Sequence, residues 1–202
     1  HSWKNLDADV VSLKAVENAK KVKVLGLLGI QLFRGYELTI NYSKGQLYLI
    51  ELDRKGNYTD TENLPIKRDL FSEKMISFNN HVYTFIQIGN KKLRACIDTG
   101  AESCVLHNDM PNKVWEHLSI SGRFTMAGVG NSRTEVLHGK IDEIKLGKSN
   151  ISNTRTMVSN LDGISESFGI EVDFIIGYTI LAGYVVSFNF VNNTITFATN
   201  VN

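Results

Sequence analysis

The chain is short of most features that announce a function. Among its 202 residues the acidic and basic side chains nearly cancel, to a formal net charge of +1, so a nucleic-acid partner has no electrostatic basis. No stretch reaches the roughly 18 consecutive apolar residues of a membrane-spanning helix. Cysteine is limited to Cys96 and Cys104, both in apolar surroundings. They read as buried free thiols, with a disulfide between them as the alternative. His81, His107, His117 and His138 are scattered, and no Cys/His cluster has metal-ligand spacing, so neither a metal nor another cofactor is expected. No signal peptide is present and residue 1 is His, so the chain reads as a processed or expressed piece whose compartment is unknown. What remains is an ordinary globular composition, 43% hydrophobic and 21% charged, long enough for one large or two small domains.

Against that background one run stands out, Ala95-Cys96-Ile97-Asp98-Thr99-Gly100-Ala101. An apolar strand ends in a carboxylate, a hydroxyl and a glycine. The strand predicts a rigid, dry position for Asp98, the Thr99 hydroxyl can bond across to a partner backbone, and Gly100 permits a sharp turn and close approach of a ligand. Three such residues coincide often by chance. The small Ala101 and the distant Ile175-Ile176-Gly177 raise the specificity of the pattern.

The stretch from about Met75 to Asn202 resembles a retropepsin-like aspartic peptidase, of the bacterial sort related to retroviral proteases. The resemblance rests on Ala95 to Leu106, on the glycine-bearing Thr125 to Ser132, and on Val172 to Tyr184. It implies a mainly β acid-protease barrel of the retropepsin/pepsin kind. It makes Asp98 the catalytic carboxylate, with Thr99 and Gly100 in its turn, and Ile175, Ile176 and Gly177 the structural floor beneath. It places Ala127, Gly128, Val129, Gly130 and Asn131 in a flap that, with Ala101, would contact an extended peptide or protein substrate. A plain β-turn is the simpler reading of Gly128-Val129-Gly130. The resemblance also brings an exported bacterial protein into consideration.

An internal repeat bears on domain organisation. Residues 27–42 match 175–190 without a gap at an offset of 148, and Leu47 and Leu49 fall on Ile195 and Phe197. Identities are few (Gly29, Gly35, Tyr36 and Asn41), but the apolar pattern agrees throughout, and shared glycines imply shared turns. The repeat predicts that residues 1–50 close a first lobe, 51–74 form a polar linker, and 75–202 make a complete second lobe. Leu27 to Gly29 should then adopt the local turn of Ile175 to Gly177. At the same offset, the first lobe's own carboxylate would fall about fifty residues before His1.

The secondary-structure signals are mostly β. His81 to Ile88 and Leu93 to Asp98 read as a hairpin around Gly89-Asn90, and Tyr184 to Phe190 and Thr194 to Ala198 as another around Asn192-Asn193. Arg123 to Met126 and Arg133 to Leu137 flank the glycine-rich tip, and Lys140 to Leu146 is a further strand. Short helices are expected over Pro111 to Leu118 and Ala8 to Lys21. Asn41, Asn57, Asn150 and Asn192 begin Asn-Xaa-Ser/Thr triplets, which an Asn-rich chain produces by chance.

Aspartic peptidase chemistry needs two carboxylates facing one water. At about 3 Å apart both cannot ionise, so the pair holds one proton and titrates as a unit. The chain offers one Asp-Thr-Gly. Asp173 reads as a strand-entry residue, and Asp142 and Asp162 as solvated. The second Asp must come from an upstream lobe, as within one chain of pepsin, or from a homodimer mate. Two functions stay open: an aspartic endopeptidase, and a non-catalytic scaffold that binds peptides or supports assembly.

Overall fold

The computed structural model describes residues 10–61, 64, 71–127 and 133–199. In chain order the described elements begin with α1 (Lys14–Lys20), a 3-10 turn (Ile30–Phe33), β1 (Tyr36–Asn41), β2 (Gln46–Glu51), β3 (Phe71–Lys74), β4 (Ile76–Phe78), β5 (His81–Ile88) and β6 (Lys91–Ile97). There follow β7 (Cys104–His107), α2 (Asn112–Trp115), β8 (Leu118–Ala127), β9 (Arg133–Leu146) and β10 (Ser149–Ser159). The last are α3 (Asp162–Phe168), β11 (Phe174–Ile176), α4 (Tyr178–Leu181), β12 (Val185–Asn189) and β13 (Thr194–Ala198).

Apolar residues on the strands must be covered, and closing a sheet on itself covers one face without leaving edges. Strands pair in the order β5-β6-β11-β7-β10-β9, and β9 returns to β5 through Ile86↔Leu146 and Gln87↔Lys145. The result is a closed six-stranded barrel with β4 and β8 as extensions. Its interior holds Ile86, Ile88, Leu93, Leu106, Ile144 and Leu146, all essentially without solvent contact. Tyr83, Cys96, Leu161, Val172 and Ile175 form a second, smaller cluster. Strands alternate their side chains, so β6 sends Ala95 and Ile97 to the first cluster and Cys96 to the second.

A five-stranded sheet, β2-β1-β12-β13-β3, lies beside the barrel in chain order and joins both ends of the repeat. β1 pairs antiparallel with β12, and the central pair is Thr39↔Ser187. These residues are 148 apart, and their buried hydroxyls share a hydrogen bond. A local two-fold axis therefore passes between them, relating β1–β2 to β12–β13. The turns repeat as well. Lys44 N–H donates to Asn41 Oδ1 at 3.1 Å, and Asn192 N–H donates to Asn189 Oδ1 at 3.0 Å. Gly45 and Asn193, again 148 apart, both take a left-handed conformation, at φ 60° and 56°. The 3-10 turn Ile30–Phe33 corresponds to α4.

Four expectations need correction. The polar stretch 51–74 is not all linker, because Phe71–Lys74 forms β3 against β13 and Leu52 makes a bridge to Tyr58. Phe71 is buried against Phe197, which is why the chain returns to the sheet there. Leu27 and Leu28 are exposed and unpaired, unlike Ile175 and Ile176 in β11, since no described strand offers them a ladder. Only the extended entry at Gly29 and the turn after it follow the repeat. Arg133 to Leu137 and Lys140 to Leu146 are one continuous strand, β9, and the described part of the first helix is confined to Lys14–Lys20.

Asn189 does more than its repeat partner, because its Nδ2 also donates to the carbonyl of the buried Gly56 at 2.9 Å. We expect Asn189→Ala to lower stability by about 1–3 kcal/mol, since it strands a buried carbonyl and two turn N–H groups. Asn41→Ala should cost less. Urea unfolding of the two variants measures the difference, and equal losses would show that the Gly56 link contributes nothing.

Candidate active site

β6 and β7 follow each other in the chain but do not pair, because β11 is inserted between them, parallel to β6 and antiparallel to β7. The segment joining them, residues 98–103, must therefore cross the end of β11. The crossing fixes Asp98. Its N–H continues the ladder to Ile176 O at 3.0 Å, and Tyr178 N–H donates to Ala101 O at 2.8 Å. Ala101 N–H closes the turn onto Asp98 O at 3.3 Å, and Gly100 N–H donates to Asp98 Oδ1 at 2.8 Å. That last bond orients the carboxylate.

Gly177 is where the two chain segments touch. A Cβ at this position would lie 2.5 Å from Ser103 O and 2.8 Å from Ala101 O. Its backbone is extended, at φ −107°, so space and not conformational freedom requires glycine. Ile175 and Ile176 fill the two hydrophobic clusters on either side of β11.

Asp98, Thr99 and Gly100 are exposed. The dry position predicted for Asp98 is thus corrected: the apolar strand stops at Ile97, and no described element covers the turn. The Thr99 hydroxyl has no partner among the described residues. Beside the turn lies an apolar cleft of about 330 Å³, whose lining includes Asp98, Thr99, Leu28, Phe33, Phe188 and Phe190. A larger cleft, of about 460 Å³, is lined by Glu73, Lys74, Lys92 and Lys145 and takes no residue from this turn. We place the site at the smaller one, because only there does a backbone-held carboxylate meet apolar surface.

The remaining sequence-predicted residues divide. β8 and β9 pair out to Ala127↔Arg133, as the stems of a hairpin would, whereas the tip residues Gly128, Val129, Gly130 and Asn131 lie outside the described residues. Cys96 and Cys104 are buried free thiols. Burial, with the Asp98 charge adding to it, pushes the Cys96 thiol up to about 12. Burial pushes the Cys104 thiol up to about 11, against the opposing effect of hydrogen bonds from Gly177 and Ile180. Asp173 accepts the Arg94 N–H at 2.7 Å and tethers β6, away from the turn. Asp142 pairs with His117, and Asp162 with His107. No group of three His, Cys, Asp or Glu among the described residues could hold a metal ion, and no described helix is long and apolar enough to cross a membrane.

Sequence reasoning missed Tyr178 and Tyr42. The Tyr178 side chain meets the Tyr42 ring edge-on, with centroids 5.6 Å apart. Tyr178 could have been found from its place directly after Gly177. Tyr42 carries no local signal, since it reaches the site only through the pairing of β1 with β12.

Residues 84–182, from β5 through α4, match the family model described as gag-polyprotein putative aspartyl protease. The match spans just under half of the chain, and over this segment the chain is similar to retropepsin-like aspartic proteases. Solved structures similar to the chain include a retropepsin-like aspartic protease from Rickettsia conorii, at 14% identity and a TM-score of 0.41, covering 63% of this chain and 88% of that one. Another is the retroviral protease-like domain of Ddi1 from Leishmania major, at 17% identity and a TM-score of 0.41, covering 59% and 93%. A third is the EIAV protease in complex with the inhibitor HBY-793, at 18% identity and a TM-score of 0.29, covering 55% and 97%. No curated protein matches the chain.

Gly177→Ala should be costly out of proportion to its one added methyl group, because the obstructing atoms are backbone oxygens. We expect a loss of about 1–3 kcal/mol. Gly122→Ala, which meets nothing within 4 Å, is the control. Denaturant unfolding compares them, and a Gly177→Ala protein as stable as the control would remove the crossing from the account.

Proposed function

We propose that the chain supplies one half of an aspartic endopeptidase site, with Asp98 as one of two carboxylates that activate a water. The observation that carries this reading is the Asp98 turn, with its carboxylate oriented by Gly100 N–H and its backbone locked over β11 at Gly177. A scaffold has no chemical need for a carboxylate in such a turn. The apolar cleft beside it suits the side chains of an extended peptide.

In the reaction the ionised carboxylate takes a proton from water, and the hydroxide forms a bond to the peptide carbonyl carbon. The protonated carboxylate gives its proton to the carbonyl oxygen, so the tetrahedral diol is neutral. On collapse the C–N bond breaks, the amine nitrogen receives the proton first taken from water, and a diol hydroxyl returns one to the other carboxylate. Both carboxylates end as they began.

The second carboxylate belongs, on this reading, to a preceding lobe of the same chain. The two-fold between Thr39 and Ser187 supports this arrangement. Applied to the barrel, the same axis generates a second barrel on the side of β1 and β2. β13 carries β3 on its outer edge, whereas the outer edge of β2, its counterpart, bears no strand among the described residues and leaves Leu47 exposed. A retroviral-type dimer of two such chains is disfavoured, because β1 already pairs with the edge of β12 that a second copy would use. Residues 1–50 are then the close of that first lobe, and Gly128 to Asn131 the tip of a flap over the cleft.

Asp98→Asn keeps the side-chain volume and removes the base. In the protein expressed from its complete reading frame, we expect it to abolish cleavage of a mixed peptide library, a loss of at least about 1,000-fold, with the unfolding transition unchanged. Cleavage at the wild-type rate would sink the peptidase assignment. A wild-type protein that binds peptides without cutting them would favour the scaffold.

A further inference from the structure

Three contacts hold residues 98–103 over the end of β11. The strand is laddered with β6 on one side and β7 on the other, Tyr178 N–H donates to Ala101 O, and Gly177 lies against the carbonyls of Ala101 and Ser103. The residues 148 positions before Ile175, Ile176, Gly177 and Tyr178 are Leu27, Leu28, Gly29 and Ile30. Their turn is built in the same way. Gly29 is extended, as Gly177 is. Leu32 N–H donates to Gly29 O at 3.2 Å, and its repeat partner Ile180 N–H donates to Gly177 O at 3.1 Å.

The two copies differ in what lies against them. Leu27 and Leu28 are 75% and 71% exposed and pair with no described strand. Ile30 N–H, the counterpart of the Tyr178 donor, has no acceptor among the described residues. A Cβ on Gly29 would meet the side-chain amide of Gln31, Oε1 nearest, where a Cβ on Gly177 meets two backbone oxygens. Gln31 thus sets an oxygen where a crossing segment would set its own, and a flexible side chain can yield that place. Scattered exposed leucines need no explanation, but here each of three features matches a contact made at β11. Leu28 and Ile30 also line the cleft that holds Asp98 and Thr99, so these residues open onto the candidate site.

We infer that residues 27–30 are the seat of a second crossing segment, which belongs to a preceding lobe of the same chain and lies about fifty residues before His1 by the offset of the repeat. Its strands flank Leu27 and Leu28 as β6 and β7 flank β11. A carbonyl of its turn accepts Ile30 N–H, and its backbone takes the place of Gln31 Oε1 against Gly29. The residue that begins this crossing is the counterpart of Asp98 and faces the same cleft. The inference rests on the two-lobe reading above and adds the residues through which the preceding lobe docks. The seat itself does not depend on cleavage.

The test is amide hydrogen exchange at Ile30, followed by NMR, with Tyr178 as the internal reference for a seated donor. The 202-residue chain is compared with the product of the complete reading frame from its natural start. In the shorter protein Ile30 should exchange freely. In the longer one it should be slowed at least about 100-fold, as Tyr178 is in both. Gly29→Ala should leave the shorter protein unchanged, since only the Gln31 side chain has to move. In the longer protein it should cut the protection of Ile30 at least about tenfold, because backbone would then be in the way. A freely exchanging Ile30 in the longer protein, protection untouched by Gly29→Ala, or a reading frame with no preceding lobe overturns the inference. Protection that grows with concentration in the shorter protein would give the seat to a second copy and overturns it as well. The peptidase reading fails separately. A protected Ile30 in a protein that cuts nothing keeps the seat and removes the enzyme, whereas cleavage with a freely exchanging Ile30 keeps the enzyme and removes the seat.

Discussion

Two carbonyl oxygens, those of Ala101 and Ser103, occupy the space where a side chain on residue 177 would begin. The rest of the site depends on this contact. With glycine there, the 98–103 segment can lie across the end of β11, and β11 can sit between β6 and β7. With β11 so placed, Asp98 continues the ladder through Ile176, and its carboxylate receives Gly100 N–H. The buried side chains of β11 anchor the crossing from below. The position of the carboxylate therefore follows from barrel packing, and a rigid scaffold of this kind holds a reactive group better than a mobile loop does.

The second constraint is the two-fold between Thr39 and Ser187. It ties the N-terminal strands into the same sheet as the C-terminal ones, so the first fifty residues are not an independent appendage. It also exposes an asymmetry: β13 has an outer neighbour and β2 has none among the described residues.

The parts of this architecture that were legible in the sequence are those whose side chains announce their role locally. His81–Ile88 and Thr194–Ala198 were read to the residue because β-branched and aromatic residues run between clear turn signals. Asp98 and Gly177 were legible as a pattern, although the reason for glycine at 177 lies in a contact with residues more than seventy positions away. β10 was not legible: it buries Thr154, Thr156 and Val158 while presenting polar side chains outward, and a pattern read from apolar residues passes over buried threonines. β3 and α3 are short and polar and are held by their neighbours. Tyr42 has no motif, because its place at the site comes from strand pairing across the repeat.

The account makes Asp98 half of a site, not a whole one. The most direct measurement is cleavage of a mixed peptide library by the 202-residue chain, in samples that sedimentation shows to be strictly monomeric. The account predicts no cleavage above background under those conditions. Full cleavage by the monomer would contradict it and would require a second carboxylate from within these residues.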